Sequence, residues 1–85
     1  RSLAAAMAAH NIRVNCVCPG PTETELSKRL RETDPEYVAS IHGKLQIGRL
    51  ADPEEIAATV AFLASDEASF VLGECLVVDG GYNMV

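Results

Sequence analysis

A short segment from Pro19 to Thr24, made of proline, glycine and threonine residues with one glutamate, has the residue types of a ligand-binding corner. The residues before it alternate with the period of a pleated strand, which we place at Ile12–Cys18. Pro19 has no N–H for a sheet ladder, Gly20 can adopt backbone conformations closed to other residues, and Pro21 blocks an early helix. A stiff loop with exposed backbone is therefore predicted at the carboxyl end of the strand, where open α/β sheets bind their ligands.

The three cysteines are candidates for a disulfide framework or a metal site. Cys16 and Cys18 fall within the strand pattern, and Cys75 begins an apolar run. The Cys-x-Cys spacing lacks further Cys or His residues at metal-ligand distances, and an odd count does not suggest a secreted disulfide framework. We therefore predict buried, reduced thiols, no metal site and a cytoplasmic location.

The two histidines are the remaining candidates for proton transfer. His42 lies beside Gly43 and Lys44, and a titratable imidazole near a substrate would suit a catalytic role. No carboxylate or nucleophile lies at a recognisable offset, so a surface histidine is favoured and the catalytic role is the alternative. His10 at a helix end would complement the helix dipole. No catalytic residue is assigned to this chain.

The elements before and after the corner are predicted from capping residues and helix formers. Residues 1–10 are rich in alanine and are interpreted as the end of a helix, with Asn11 as its stop signal. Residues 11–24 form the strand and the corner. Residues 25–48 hold two short helices, the second starting at Asp34-Pro35 and broken by Gly43 and Gly48.

The second half of the chain carries the stronger pattern. Asp52, Pro53 and Glu55 predict a capped helix over residues 52–65, whose core stripe is Ile56, Val60 and Leu63. Residues 74–79 then form the last strand, and its Cys75–Val78 make an unbroken apolar run suited to a parallel sheet covered on both faces.

Composition limits the class of protein and its partners. The chain has 85 residues, 48% of them hydrophobic, with a net charge of −5. It is one globular unit at most and is short for a domain, which favours further structure packed against it. The acidic balance argues against nucleic acid and anionic lipid, and no run of apolar residues is long enough for a membrane helix. The basic cluster Lys28, Arg29 and Arg31 is interpreted as a solvated helix face, with contact to an acidic substrate as the alternative.

Two segments together resemble the short-chain dehydrogenases/reductases. IRVNCVCPGPTET is similar to that family's sixth-strand segment, in which a Pro-Gly pair is followed four residues later by Thr. GRLADPEEIAATVAFLASDEASFVLGECLVVDGG is similar to its C-terminal signature, apart from Leu72, where members often carry Thr. The resemblance implies the C-terminal portion of a Rossmann-type α/β fold with a doubly wound parallel sheet, of which this chain holds two strands and the flanking helices.

The resemblance also implies an activity and a binding site. The parent enzyme would transfer a hydride between NAD or NADP and a small-molecule alcohol or ketone. Pro19 and Gly20 would pack by the nicotinamide, the Thr22 backbone would meet its carboxamide, and the Thr24 hydroxyl would bond to the carboxamide or a phosphate. Residues 25–48 would form the substrate lid, with a plain surface connection as the alternative.

The family's catalytic Tyr-x-x-x-Lys and glycine-rich phosphate loop are not found in this sequence. Tyr37 is followed four residues later by Ile41, and Tyr82 is too close to the end. We therefore expect this segment alone to be inactive. The alternative to an enzyme segment is a short non-catalytic product that acts as a binding or assembly module.

Phe62 is the predicted contact residue between subunits. On a helical projection it points away from the stripe of Ile56, Val60 and Leu63, beside the small Ala58. The resemblance implies a homo-oligomer formed through this helix and the last strand. Packing of Phe62 under a loop of its own chain is the alternative.

Overall fold

The fold was analysed in a computed structural model that describes residues 2–84; Arg1, predicted to be helical, and Val85 lie outside the described residues. Two strands and four helices follow one another in the order α1, β1, α2, α3, α4, β2. Their bounds are Ser2–Ala8 for α1, Cys16–Pro19 for β1, Glu25–Thr33 for α2, Pro35–Lys44 for α3, Pro53–Ala64 for α4 and Cys75–Val78 for β2. Short 3₁₀ turns cover Asp66–Ala68 and Tyr82–Met84.

The two strands form a parallel pair, with Cys16 opposite Cys75 and Pro19 opposite Val78. Helices α2, α3 and α4 make the crossover between them. The predicted α/β class and the parallel strands joined by a helical crossover are confirmed.

The first strand is shorter than predicted and starts at Cys16 instead of Ile12. The residues before it are held by side chains as well as by backbone pairing. Arg13 donates hydrogen bonds to the carbonyl oxygens of Leu63 at 2.8 Å and Ser65 at 3.0 Å. Asn15 donates to the Val71 carbonyl at 3.1 Å. The residues before β1 are therefore attached to the end of α4 and to the chain before β2 by side-chain hydrogen bonds, and they form no regular ladder of strand hydrogen bonds.

Helices α2 and α3 are nearly continuous in the chain and pack against each other. The backbone N–H of Asp34 donates to the Leu30 carbonyl at 2.7 Å, and its carboxylate accepts from the Tyr37 N–H at 3.2 Å. Asp34 thus ends one helix and begins the next, as Asp followed by Pro predicts. The predicted break at Gly43 is wrong, because α3 runs through this residue to Lys44.

Helix α4 begins after Asp52, whose N–H donates to the Glu55 carboxylate at 2.9 Å. This hydrogen bond belongs to the predicted capping box between the residue before the helix and the third residue inside it. Leu63 is buried, whereas Val60 of the predicted core stripe is 49% exposed. The other buried apolar residues are Ala4, Val38, Leu45 and Ala68.

The sheet is open on one face, which corrects two predictions. Strand β2 was expected to be covered on both faces, but Cys75 and Val77 are exposed. The cysteines were expected to be buried, but Cys16, Cys18 and Cys75 are all exposed. The reason is that side chains alternate between faces, and α4 packs on the Val17 face alone.

Across residues 2–84, each helix is too short or too polar to cross a bilayer.

Candidate functional site

The corner after β1 contacts the turn after β2, which begins at Asp79, through Gly20. The Gly20 N–H donates to the Val78 carbonyl at 3.0 Å, which extends the parallel ladder by one step. A Cβ at position 20 would lie 2.6 Å from the Cβ and 2.7 Å from the Cα of Asp79. Only glycine fits this close approach without a shift of backbone.

The loop after Gly20 is fixed by a single residue ahead of α4. The Ala51 N–H donates to the Pro21 carbonyl at 3.1 Å, and the Glu23 N–H donates to the Ala51 carbonyl at 2.8 Å. The Thr22 hydroxyl donates to the Gly20 carbonyl at 2.9 Å. The hydroxyl of Thr22 is therefore engaged inside the corner, which leaves its backbone as the group that could meet a ligand.

Asp79 organises the matching corner after β2. Its carboxylate accepts hydrogen bonds from the N–H groups of Gly81 and Asn83, both at 3.0 Å. Gly80 and Gly81 have φ values of 59° and 84°, a left-handed conformation that suits glycine. The Gly80 carbonyl accepts from the Ile47 N–H at 3.0 Å, so the chain after α3 is tied to this corner.

Thr24 begins helix α2 and is exposed. Its hydroxyl oxygen accepts from the Ser27 N–H at 3.2 Å, and the Ser27 hydroxyl oxygen accepts from the Thr24 N–H at 2.8 Å. Within the described part of the chain, the Thr24 hydroxyl donates to no acceptor. A threonine that caps a helix and keeps its own hydrogen free can donate to a bound ligand.

An open cavity of about 210 Å³ lies between the corner and helices α2 and α3. Its walls are apolar apart from a few hydroxyl groups, and none of them is charged. The lining residues are Pro21, Thr22, Thr24, Leu26, Ser27, Leu30, Tyr37, Val38, Ile41 and Leu50.

The four predicted site residues are therefore close in the chain, but only two of them line the cavity. Thr22 and Thr24 line the cavity. Pro19 and Gly20 lie at the end of β1, beside Asp79. The sequence reasoning missed Asp79 and Ala51 as partners of the corner. Asp79 was visible only as a turn residue in Asp-Gly-Gly, and no local pattern singles out Ala51.

An ion pair holds the segment before α4 in place. The Arg49 guanidinium contacts both carboxylate oxygens of Glu55, at 2.7 and 2.9 Å. This contact, with the hydrogen bond from the Asp52 N–H, lowers the pKa of Glu55 to about 2, and Glu55 in turn raises the pKa of Arg49. Both side chains are about half exposed, so the pair contributes little to stability at neutral pH.

The basic cluster lies on the exposed side of α2, as predicted. Arg31 contacts Glu23 at 2.7 Å, and Lys28 contacts Glu25 at 3.5 Å. Two of the three cations are therefore already paired with carboxylates.

The histidines stand outside the cavity. His10 is exposed, whereas His42 is half-buried, and its Nε2 atom has no hydrogen-bond partner among residues 2–84. His42 was predicted to be a surface residue and is less exposed than expected, because it packs near Pro35, Val38 and Ala39. It is absent from the residues that line the cavity beside Thr24.

Comparison with known proteins gives one family. The family described as Enoyl-(Acyl carrier protein) reductase matches residues 1–83. Cis-4-hydroxycyclohexanecarboxylate dehydrogenase of Sinomonas cyclohexanicum is 51% identical over 85 residues, which are 100% of this chain and 33% of that protein. Dehydrogenase/reductase SDR family member 4 of Oryctolagus cuniculus is 49% identical over 81 residues, which are 95% of this chain and 31% of that protein.

A solved structure supports the same relationship. A protein from Agrobacterium tumefaciens, crystallised with bound NADP, superposes with a TM-score of 0.89 at 37% identity, over 98% of this chain and 33% of that one. The chain spans about a third of the length of the curated relatives it matches.

Proposed function

The chain belongs to the short-chain dehydrogenase/reductase family, and from this premise we propose that it is part of an oxidoreductase that transfers a hydride between NAD or NADP and an alcohol or carbonyl carbon. Its relatives are oxidoreductases by name, and one solved neighbour carries NADP. The single observation that carries the proposal is the corner from Pro19 to Thr24, held at the carboxyl ends of two parallel strands beside an apolar cavity.

We assign the chain to the C-terminal portion of the longer enzyme. The order of its two family segments supports this assignment, as does the fraction of the relatives that it spans. Exposed apolar side chains support it too, because surfaces of this kind are normally covered by further protein. Phe70 is 102% exposed, and Leu3, Ile12, Leu72 and Val77 are about half exposed or more. A cytoplasmic location is part of the same proposal.

The cofactor-binding residues are Pro19, Gly20, Thr22 and Thr24. The nicotinamide cofactor, when bound, accepts or supplies the hydride. Pro19 and Gly20 pack by its ring, and the Thr22 backbone meets the carboxamide. Thr24 donates its free hydroxyl hydrogen to the carboxamide or to a phosphate. The fixed geometry of Gly20 and the unpaired donor of Thr24 fit this role.

Helices α2 and α3 act as the substrate lid of this site. They line the open cavity together with Pro21 and Leu50, and α2 follows the corner directly after Thr24 with no intervening linker. Proton transfer would fall to a tyrosine and a lysine outside this chain. In this proposal the chain helps to bind and orient the cofactor and the substrate, and it does not catalyse hydride transfer by itself.

Helix α4 and strand β2 form the oligomer surface in this proposal. Phe62 on α4 is 43% exposed, although it is a large aromatic residue. Such residues are frequent anchors of protein interfaces. The partner would be a second copy of the enzyme.

The test is made on the longer protein encoded around this segment. Purified enzyme is assayed with NADH and NADPH against a panel of aldehydes and ketones by nicotinamide absorbance. We expect turnover with at least one cofactor, and no turnover in any combination would overturn the proposal. A coding sequence with no Tyr-x-x-x-Lys upstream of Arg1 would instead favour the assembly module.

A further inference from the structure

The cavity between the corner, α2 and α3 has walls of one chemical kind, and we call it the lid cavity. Leu26 and Leu30 lie four residues apart on α2, so they share one face of that helix. The lining residues with hydrocarbon side chains are Pro21, Leu26, Leu30, Val38, Ile41 and Leu50. The others carry hydroxyl groups, and none is charged. The wall that this chain supplies therefore suits a hydrocarbon group.

The hydroxyl groups of the lid cavity are mostly used inside the chain. The Thr22 hydroxyl donates to the Gly20 carbonyl at 2.9 Å. The Ser27 hydroxyl donates to the Thr24 carbonyl at 2.8 Å, and its oxygen accepts from the Thr24 N–H at 2.8 Å. The Thr24 hydroxyl is assigned to the cofactor. Among the lining residues that the structure describes, the Tyr37 hydroxyl is then the one side-chain donor left for a substrate.

The cations of α2 lie outside the lid cavity. Lys28, Arg29 and Arg31 are absent from its lining residues. Arg31 contacts Glu23 at 2.7 Å, and Lys28 contacts Glu25 at 3.5 Å. A carboxylate or phosphate in the lid cavity would therefore meet no cation from the described part of the chain, and an unpaired charge is costly to bury. The basic cluster gives no contact to an acidic substrate here.

The volume of the lid cavity sets the size of the group that it holds. The volume is about 210 Å³, whereas an engineered apolar cavity of about 150 Å³ already holds benzene. A six-membered ring or a chain of about six carbons therefore fits. Thr22 and Thr24 line the same cavity, so this group lies next to the nicotinamide site. The remainder of the longer enzyme can close the open side, but it leaves the composition of this wall unchanged.

Resting on the proposed function, we propose that the substrate is a hydrophobic ketone, or the corresponding secondary alcohol, whose hydrocarbon group lies in the lid cavity against Leu26 and Leu30. Polyols are disfavoured, because each hydroxyl buried without a partner costs roughly 5- to 160-fold in affinity. A charged end on the same group is disfavoured too, since no cation of this chain faces it. When the ketone is reduced, its carbonyl carbon takes the hydride, the reduced cofactor is oxidised, and one proton is taken up to complete the alcohol.

The test compares two ketones of matched shape in the longer enzyme. In 6-methylheptan-2-one, a branched hydrocarbon end replaces the carboxylate of 5-oxohexanoate. From nicotinamide absorbance, we expect kcat/KM to be at least about 10-fold higher for 6-methylheptan-2-one. Equal values, or a preference for 5-oxohexanoate, would overturn this inference and leave the proposed function intact. An enzyme that reduces only charged or polyhydroxylated carbonyl compounds would do the same, whereas no turnover with any substrate would overturn the proposed function itself.

The variant Leu26→Lys links the preference to this wall. Leu26 is outside the buried core, so the subunit should fold, which circular dichroism checks. A cation in the lid cavity should pair with the carboxylate, and we expect the ratio of the two kcat/KM values to shift by at least about 10-fold toward 5-oxohexanoate. Glu32→Gln is the matched control, because it makes the same change of net charge on α2 outside the lining residues. An unchanged ratio in Leu26→Lys, or an equal shift in both variants, would show that Leu26 does not face the substrate.

Discussion

Gly20→Ala should disturb the corner, because an added Cβ meets closer atoms at Gly20 than at Gly43, Gly48, Gly73 or Gly80. The new Cβ would lie 2.6 and 2.7 Å from the Cβ and Cα of Asp79, whereas ordinary contacts begin at 3.4 Å. The two strand ends must therefore separate by about 0.8 Å, and one of the contacted atoms is backbone, which cannot rotate away.

The expected cost follows from two opposing effects. Overpacking of a tight contact costs about 1–3 kcal/mol. Alanine also lowers the conformational entropy of the unfolded chain. This effect raises the free energy of unfolding by about 0.4–1 kcal/mol where the native backbone conformation suits alanine. Gly20 is not among the glycines with positive φ, so this second effect applies. We expect a net loss of about 0–2.6 kcal/mol in the free energy of unfolding.

The assay is urea unfolding of the longer enzyme, followed by far-ultraviolet circular dichroism, with cofactor affinity measured in parallel. Gly43→Ala is the matched control, because a Cβ there meets no atom within 4 Å and the residue lies inside α3. That variant should gain about 0.5–1 kcal/mol. If Gly20→Ala were as stable as the wild type and bound cofactor equally well, the close approach to Asp79 would not constrain the corner.

The remaining predictions concern charge, cofactor binding, assembly and activity. Because the pKa of Glu55 in the folded chain is about 2, below its usual value of about 4.3, the small contribution of this half-exposed carboxylate to stability is complete above the usual value and is lost as the pH falls through about 2. Glu55→Gln should therefore flatten the acid limb of thermal unfolding slightly, and Glu54→Gln should leave it unchanged. Thr24→Val should weaken cofactor binding by about 0.5–1.5 kcal/mol, or up to about 3 if a phosphate is the partner, with recovery in Thr24→Ser; unchanged calorimetric affinity would remove Thr24 from the site. Phe62→Glu should split the oligomer while the subunit stays folded, and light scattering with an unchanged mass would contradict the interface. The isolated chain should show no cofactor-dependent turnover, since it lacks a positioned acid and base, and any oxidation of an alcohol by it would refute this.

The sequence predicted those elements whose signals are local. Asp34-Pro35 and Asp52-Pro53 carry both the cap and the first-turn proline, and α3 and α4 start at these prolines. The apolar run at Cys75–Val78 is the observed strand β2. The corner of Pro19 and Gly20 was found because proline and glycine restrict the backbone by themselves.

What could not be predicted depends on partners far along the chain. The alternation of side chains from Ile12 predicted a strand, but β1 starts only at Cys16. Before it, Arg13 and Asn15 donate to carbonyl oxygens more than 45 residues away in the sequence, and no local rule predicts these contacts. The exposure of the cysteines likewise follows from which face α4 covers, which the alternation of side chains alone leaves undecided.

The corner, the segment proposed as the lid and helix α4 form one connected unit, and Ala51 is where they meet. Both backbone groups of Ala51 bind the corner, at Pro21 and Glu23. The ion pair of Arg49 and Glu55 spans the same residue from the end of the lid segment to the first turn of α4. Since each attachment is made by backbone or by a paired charge, a shift of α4 must move the loop that leads into Thr24. The geometry of the proposed cofactor site thus depends on a helix whose exposed Phe62 face we assign to contact with a second subunit.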